Sequence, residues 1–400
     1  MSSLVRCFST ALRHHASKQA LQTVPTKYLG RPSNNLSVGI VGLANVGKST
    51  LFQAITNTTL GNPANYPFAT ILPEKSQAIV ESEQLNFLSE LYSSKKKIPS
   101  PLTIFDIAGL TKNASSGEGL GNKFLSDIRQ VDGILHVVRG FRNDEIIHIE
   151  ENKVDPIRDL VIVNDELILK DLEFVETGVE ISKKSLKRPY VDKGKVHFEL
   201  DTLDKVQDLL YNGTKISEGE WSDEEIAIIN TFNFLTAKPT IILMNVNEDD
   251  YLHDRNEFKD DVTKWIKENS PKDTLVLFSA SHESIASNER SKKSAIPTIV
   301  NLIRRALHII SFYTCGPIET RQWSLREGST AAAAAGVIHT DLEKNFISAQ
   351  VYKYDDLLVE SPPLNESNLK KSGKQLKYGK AYLVEDNDVL LIKAVGAKPR

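Results

Sequence analysis

The stretch Val38-Gly-Ile-Val-Gly-Leu-Ala-Asn-Val-Gly-Lys-Ser-Thr-Leu-Phe52 constrains this 400-residue chain more than any other. An apolar run ending at Gly42 reads as a buried strand, four residues separate it from Gly47-Lys48-Ser49, and helical character follows from Thr50. This is the pattern G-x-x-x-x-G-K-S/T in the strand–loop–helix setting that a phosphate-binding loop requires. Glycines let backbone N–H groups turn inward on phosphate oxygens, and the helix adds the positive end of its dipole. Asn45, Val46, Gly47, Lys48, Ser49 and Thr50 are therefore expected to hold the phosphates. Lys48 should reach the β- and γ-phosphates, and the Ser49 hydroxyl should hold Mg²⁺. An ordinary glycine turn is the bland alternative, and the flanking strand and helix disfavour it.

Later strand ends complete a nucleotide site. Pro101-Leu-Thr-Ile-Phe-Asp-Ile-Ala-Gly-Leu110 delivers Asp106 to the end of a hydrophobic strand, with Gly109 three residues on. Such an Asp holds Mg²⁺, and such a Gly meets the γ-phosphate through its N–H, which marks a switch-type P-loop protein. Thr70, in Asn65-Tyr-Pro-Phe-Ala-Thr-Ile71, suits a switch segment closing over Mg²⁺, and Pro67 keeps that segment out of a helix. The polar stretch Glu74 to Lys97 holds a helical run from Gln84 to Leu91 and no chemistry. Lys112 to Lys123 reads as a mobile glycine-bearing loop, followed by a helix and the strand Gly133 to Val138.

The strand Pro239 to Asn245 runs into Val246-Asn247-Glu248, where GTPases carry Asn-Lys-x-Asp. In those proteins the Asp carboxylate pairs with N1–H and the exocyclic amine of guanine. Glu248 takes that place here, and one extra C–C bond moves the acceptor by roughly 1.5 Å, enough to spoil a bidentate pair. Thr274 to Phe278 ends in Ser279-Ala280, a second loop expected at the base. All these strand ends fall on one edge, as ligand binding at the carboxyl ends of a parallel sheet demands.

Beyond this domain the patterns change. Residues 1–32 carry Arg6, Arg13, Lys18, Lys27 and Arg31 but no acid, and the first acid of the chain is Glu74. Leu4, Phe8 and Leu12 fall on one helical face, so the segment reads as a mitochondrial transit peptide, with a disordered tail as the alternative. It is expected to play no part in the fold, and the protein to work in the mitochondrial matrix, or alternatively in the cytoplasm. Cys7 and Cys315 are too few for a disulfide framework or a cysteine metal site, and no apolar run has membrane-spanning length. A net charge of −3 argues against a strongly basic nucleic-acid binder.

Helical periodicity over Val154 to Glu173, Leu203 to Leu210 and Asp223 to Phe234 predicts a coiled-coil-like hairpin inserted at 154–235. Its tip is the charged stretch Ser182 to Lys195, either a plain solvated face or a partner-binding one. Pro297 to Ile310 should be a joining helix. Short strands at Glu319–Leu325, Ile347–Tyr352, Ala381–Val384 and Asp388–Lys393, with a helix at Thr330–Val337, make a small α+β module. That module binds nucleic acid or protein, or is structural.

The runs Gly42-Leu-Ala-Asn-Val-Gly-Lys-Ser-Thr50, Asn65-Tyr-Pro-Phe-Ala-Thr70, Gly117-Glu-Gly-Leu-Gly-Asn-Lys-Phe124, Val154-Asp-Pro-Ile-Arg-Asp159 and Ala335-Gly-Val-Ile-His-Thr-Asp341 together resemble the Obg-like ATPase, or YchF, family from about Leu36 to Lys393. The resemblance implies an α/β P-loop NTPase domain at 36–312, an inserted helical coiled-coil domain at 154–235 and a small C-terminal α+β TGS domain at 313–396. It implies ATP hydrolysis in preference to GTP, association with ribosomes, Mg²⁺ on Ser49 and Thr70, and adenine against the backbone at Val246. Ala44 stands where the family has Pro, the segment after Ala280 is short and basic, Ala331 to Ala335 is unusually uniform, and Ser361 to Ser367 looks inserted.

Leu110 occupies the place where many switch GTPases orient water with Gln, so basal hydrolysis is expected at roughly 10⁻⁴ to 10⁻² per second. His148 is the candidate catalytic residue for positioning that water, because a nearby histidine recurs in the family; a surface or core histidine is the alternative. His136, inside a strand, reads as structural. Two other functions compete: a GTPase, and a ribosome- or RNA-binding module whose nucleotide only sets its conformation.

Overall fold

Three apolar runs, β1 (Ser37–Val41), β5 (Gly133–Arg139) and β6 (Thr240–Asn245), are buried at every residue. Strands covered on both faces read as continuous apolar segments, so their sequence announces the centre of a parallel sheet. The computed structural model describes residues 28–59, 75–80, 82–107, 120–143, 154–286 and 294–395. Thr70, Gly109, Leu110, His148 and residues 1–27 lie outside them.

Between β1 and β5 come β2 (Lys75–Ile79), β3 (Lys96–Ile98) and β4 (Pro101–Asp106), and β7 (Thr274–Phe278) follows β6. The first sheet has the order β2-β4-β1-β5-β6-β7, parallel except for edge strand β2. Strands are added on both sides of β1, so its carboxyl end is a topological switch point. The helices α1 (Lys48–Thr59), α2 (Glu83–Leu91) and α3 (Leu120–Gln130) connect its first half. Leu51, Ile55 and Ile128 share one core with Val38, Ile40, Leu135 and Leu243 of the strands. The expected loop up to Lys123 therefore ends earlier, at Leu120.

The insertion is helical and longer than its periodic stretches. Asp155 caps α4 (Pro156–Ser185) by accepting from Arg158 N–H, and Pro156 stands at its first position, where a missing N–H costs nothing. Residues 186–192 turn the chain into α5 (Lys193–Tyr211), and α6 (Asp223–Phe232) opens on a Ser222–Glu225 capping box. Val175, Leu203, Val206, Leu210 and Ile229 form a separate core. At its base the buried Asp171 carboxylate accepts from Leu235 N–H, Thr236 N–H and Thr236 Oγ1. Burial still raises its pKa to about 6, the three hydrogen bonds pulling the other way.

The remaining helices of this part are α7 (Glu248–Leu252), α8 (Lys259–Asn269), α9 (Ala280–Ala286) and α10 (Ile296–Ala306). The expected joining helix stops four residues short of Ile310. His308 adopts φ +50°, and the β-branched and aromatic run after it extends as β8 (Ile309–Cys315). With β9 (Glu319–Arg326), β10 (Phe346–Tyr352), β11 (Leu376–Tyr378) and β12 (Asp388–Ala394), it builds a second sheet of order β11-β10-β12-β8-β9-β3. The C-terminal part of this sheet begins at Ile309, so a boundary at 313 cuts through β8. The expected helix is present as α11 (Ala331–Ile338). Ala381–Val384 is no ladder strand: it makes one isolated bridge, Leu383 to Thr330, while Tyr382 stacks on Tyr378 at 4.1 Å.

Strand β3 belongs by sequence to the first domain and by hydrogen bonding to the second. It pairs in parallel with β9, Lys96 opposite Glu319 and Ile98 opposite Arg321. Leu85, Leu88 and Leu91 of α2 are buried against Tyr313, Tyr352 and Leu357, each leucine worth about 1.5–3 kcal/mol of burial. The stretch Glu74 to Lys97, in which the sequence shows a helical run and no chemistry, thus supplies β2, the start of β3 and the joint between the domains.

The first described residues form a strap over three parts of the molecule. Arg31 grips the Asp132 carboxylate with two hydrogen bonds of 2.6 Å, and Gly30 N–H donates to Asn230 of α6 at 2.7 Å. Arg326 of β9 donates to Leu29 C=O, its N–H meets Asn34, and Tyr28 stacks on His308 at 3.7 Å. Residues 28–32 therefore take part in the fold, contrary to their expected place in a dispensable leader at 1–32.

Candidate nucleotide site

The loop after β1 is shaped by three residues with positive φ: Gly42 at +149°, Asn45 at +62° and Gly47 at +103°. A side chain at Gly42 would stand 2.3 Å from Val137 C=O, and one at Gly47 would stand 2.3 Å from Asn245 Nδ2. Asn is the non-glycine residue that tolerates the left-handed region best, which suits position 45. Leu43 and Val46 are buried and anchor the loop from beneath. Lys48 begins α1, so the N–H groups of Lys48, Ser49 and Thr50 are first-turn donors without helical partners, free to receive an anion.

Lys48 is only 7% exposed, and its ammonium donates to Leu43 C=O at 2.6 Å. Burial pushes its pKa down to about 8, while the Asp106 carboxylate pulls it up. Asp106 sits opposite Ile40 in the register of β1 and β4, two residues before Gly42. A lysine held in a dry loop on a carbonyl is poised for the stronger charge of a phosphate.

Asn245, Val246, Ser279 and Ala280 are brought together at the ends of β6 and β7, all buried. The Asn245 amide donates to Val46 C=O and accepts from Ala280 N–H, each at 3.0 Å. Val246 N–H donates to Phe278 C=O at 2.8 Å. These groups hold the phosphate loop against the base side of the pocket, with their hydrogen bonds committed to protein. Ser279 Oγ accepts from His282 N–H at 3.4 Å, and Glu248 opens α7 with its carboxylate 2.8 Å from His282 Nδ1. His282 has no counterpart in the sequence reading; its place three residues after Ser279, on the first turn of α9, is the signal for it.

His136 lies in the middle of the sheet, 2% exposed, and its Nε2 makes no hydrogen bond to the described residues. Burial, with Lys215 and Lys48 nearby, lowers its pKa to about 3. A histidine held neutral in the fold costs stability where the unfolded chain charges it. Stability should be full above about pH 6.5 and fall as pH drops toward 3. His136→Leu should remove about 2 kcal/mol of the loss between pH 7.5 and 5 in urea titrations; parallel pH profiles for the two proteins would contradict this.

A phosphate loop, an Asp-bearing strand and an Asn-bearing strand on one sheet edge define a P-loop NTPase. The family described as "50S ribosome-binding GTPase" matches residues 37–169, and the C-terminal YchF GTPase family, described as a protein of unknown function, matches 309–395. An Obg-like ATPase homolog of Saccharomyces cerevisiae is 52% identical over 394 residues, covering 92% of this chain and 97% of its own. Obg-like ATPase 1 of Schizosaccharomyces pombe is 45% identical, covering 91% and 96%. The solved structure of the Schizosaccharomyces pombe YchF GTPase matches with a TM-score of 0.83 at 45% identity, over 91% of this chain and 99% of that one. The chain belongs to the Obg-like ATPase (YchF) family, and nucleotide hydrolysis is the activity this implies. Among the described residues no helix is long and apolar enough to cross a membrane.

Proposed function

We propose that this chain is an ATP-preferring, Mg²⁺-dependent switch hydrolase that works with ribosomes in the mitochondrial matrix. The observation carrying the base preference is the Asn245–Glu248 turn, in which Val246 and Glu248 replace the Lys and Asp of the guanine signature. Ser49, on the first turn of α1, and Asp106, at the end of β4, are hard oxygen donors on one sheet edge. That donor set fits Mg²⁺, which takes oxygen ligands, and Thr70 is the further ligand expected by position. When bound, the ion neutralises charge on the phosphates.

The chain's own groups bind and orient: first-turn N–H groups and Lys48 on the phosphates, the β6 and β7 ends around the base. Leu110 gives water no hydrogen-bonding side chain, which supports slow basal turnover, with His148 as the water-positioning residue. The ribosome reading is supported by the description of the family matched at 37–169. The mitochondrial reading is supported by the basic, acid-free residues 1–27, with any processing ahead of Tyr28, since Tyr28 takes part in the strap.

Calorimetric titration with ATP and GTP, with Mg²⁺ and with EDTA, tests this reading. ATP should bind about tenfold more tightly than GTP, equivalent to about 1.4 kcal/mol, and EDTA should weaken both. Equal or tighter GTP binding would move the assignment to a GTPase. Absence of phosphate release in a single-turnover assay would move it to a ribosome- or RNA-binding module whose nucleotide only sets conformation.

A further inference from the structure

Glu248 stands where a guanine-specific protein holds its base-reading carboxylate, and here that carboxylate already has a partner. His282 Nδ1 lies 2.8 Å from Glu248 Oε1. The imidazole side chain is 7% exposed and the Glu248 side chain 47%, so the ring is the fixed member and the carboxylate the held one. The buried Tyr251 ring of α7 packs 5.3 Å from the imidazole at 52°, and the residue's backbone N–H donates to Ser279 Oγ at 3.4 Å. The link therefore ties α7, which follows β6, to α9, which follows β7.

Guanine presents two adjacent donors, N1–H and the exocyclic amine, and needs both oxygens of a carboxylate side by side. Adenine presents an acceptor at N1, which a facing carboxylate repels. A Glu248 whose Oε1 already accepts from an imidazole N–H no longer offers two free oxygens side by side to guanine, and that hydrogen bond takes up part of the negative charge adenine N1 would meet.

We propose that His282 is a positioning residue for base specificity, drawing the Glu248 carboxylate out of the guanine-pairing arrangement. The proposal deepens the ATP-preferring reading and rests on it. It assigns the preference to a His282–Glu248 hydrogen-bond latch as well as to the length of the glutamate side chain.

The test uses the full chain and compares ATP and GTP dissociation constants by competition titration in wild type, His282→Phe, Glu248→Ala and the double variant. Phe keeps a ring against Tyr251 but has no N–H; His282→Ala serves if the Phe variant does not fold. His282→Phe should shift the GTP/ATP ratio of dissociation constants about tenfold toward GTP. The same change in the Glu248→Ala background should leave the ratio within twofold. His282→Asn, whose amide N–H stands close to the place of Nδ1, should keep the wild-type ratio. An unshifted ratio in folded His282→Phe or His282→Ala overturns the proposal. So does an equal shift without Glu248, which would mean His282 acts through packing alone. The wild-type ratio is read separately: if wild type favours GTP while His282→Phe shifts the ratio only when Glu248 is present, the ATP reading falls and the latch stands.

Discussion

Replacing Gly47 with alanine should lower nucleotide affinity by at least about a hundredfold while leaving the fold intact. Position 47 adopts φ +103°, where an L side chain is strained, and its new methyl would meet Asn245 Nδ2 at 2.3 Å. Neither conflict can be relieved by a side-chain rotation, because the Asn245 amide is pinned at both ends. The loop must open, and its N–H groups then no longer converge on one anion. A hundredfold is about 2.7 kcal/mol, within the reach of backbone strain plus overlap at one site. Titration of a fluorescent nucleotide, alongside thermal unfolding, checks both halves. Affinity within threefold of wild type would show that the loop accommodates a side chain.

Asn245→Ala should produce a comparable loss by a different route. The side chain is the only described link between Val46 C=O and Ala280 N–H, and its removal leaves a buried acceptor and a buried donor unsatisfied. At about 1–3 kcal/mol each, partly recovered by relaxation, the cost comes to about 2–4 kcal/mol. If it falls on the bound conformation, affinity for either base should drop roughly 30- to 1,000-fold. Parallel losses for ATP and GTP distinguish this scaffolding role from base reading; a loss confined to one nucleotide would assign the amide to the base instead.

The phosphate loop is legible in sequence because its constraints are local: glycine where φ is positive, an apolar strand before, a helix after. The buried strands β1, β5 and β6 and the helical insertion are legible for the same reason, since periodicity is a property of neighbours in the chain. What escapes is set by distant partners. Lys96-Lys97-Ile98 has no alternation, and only β9, more than two hundred residues away, makes it a strand. Ile309 and Ile310 continue the helical pattern of α10 until His308 takes a left-handed conformation. Ala381 to Val384 has strand composition, yet Tyr382 is spent on stacking with Tyr378 and on donating to Asp388 at 2.6 Å. In the site, Asp106, Lys48 and Asn245 are legible from motif spacing, whereas His282 is a solitary histidine until the fold sets it beside Glu248.

The exchange of β3 between sheets has a consequence for how the chain is made and how it can be cut. Residues 96–98 sit in one sheet and residues 101–106 in the other, with only Pro99 and Ser100 between them. A growing chain finishes β3 and the apolar side of α2 long before β9 exists to cover them, so an unpaired edge waits through most of synthesis. A fragment ending before Ile309 would contain the phosphate loop yet expose Leu85, Leu88 and Leu91, and should aggregate. A fragment starting at residue 313 lacks the first four residues of β8 and all of β3. The described residues form two sheets, and the joint between them closes only once β9 has been made.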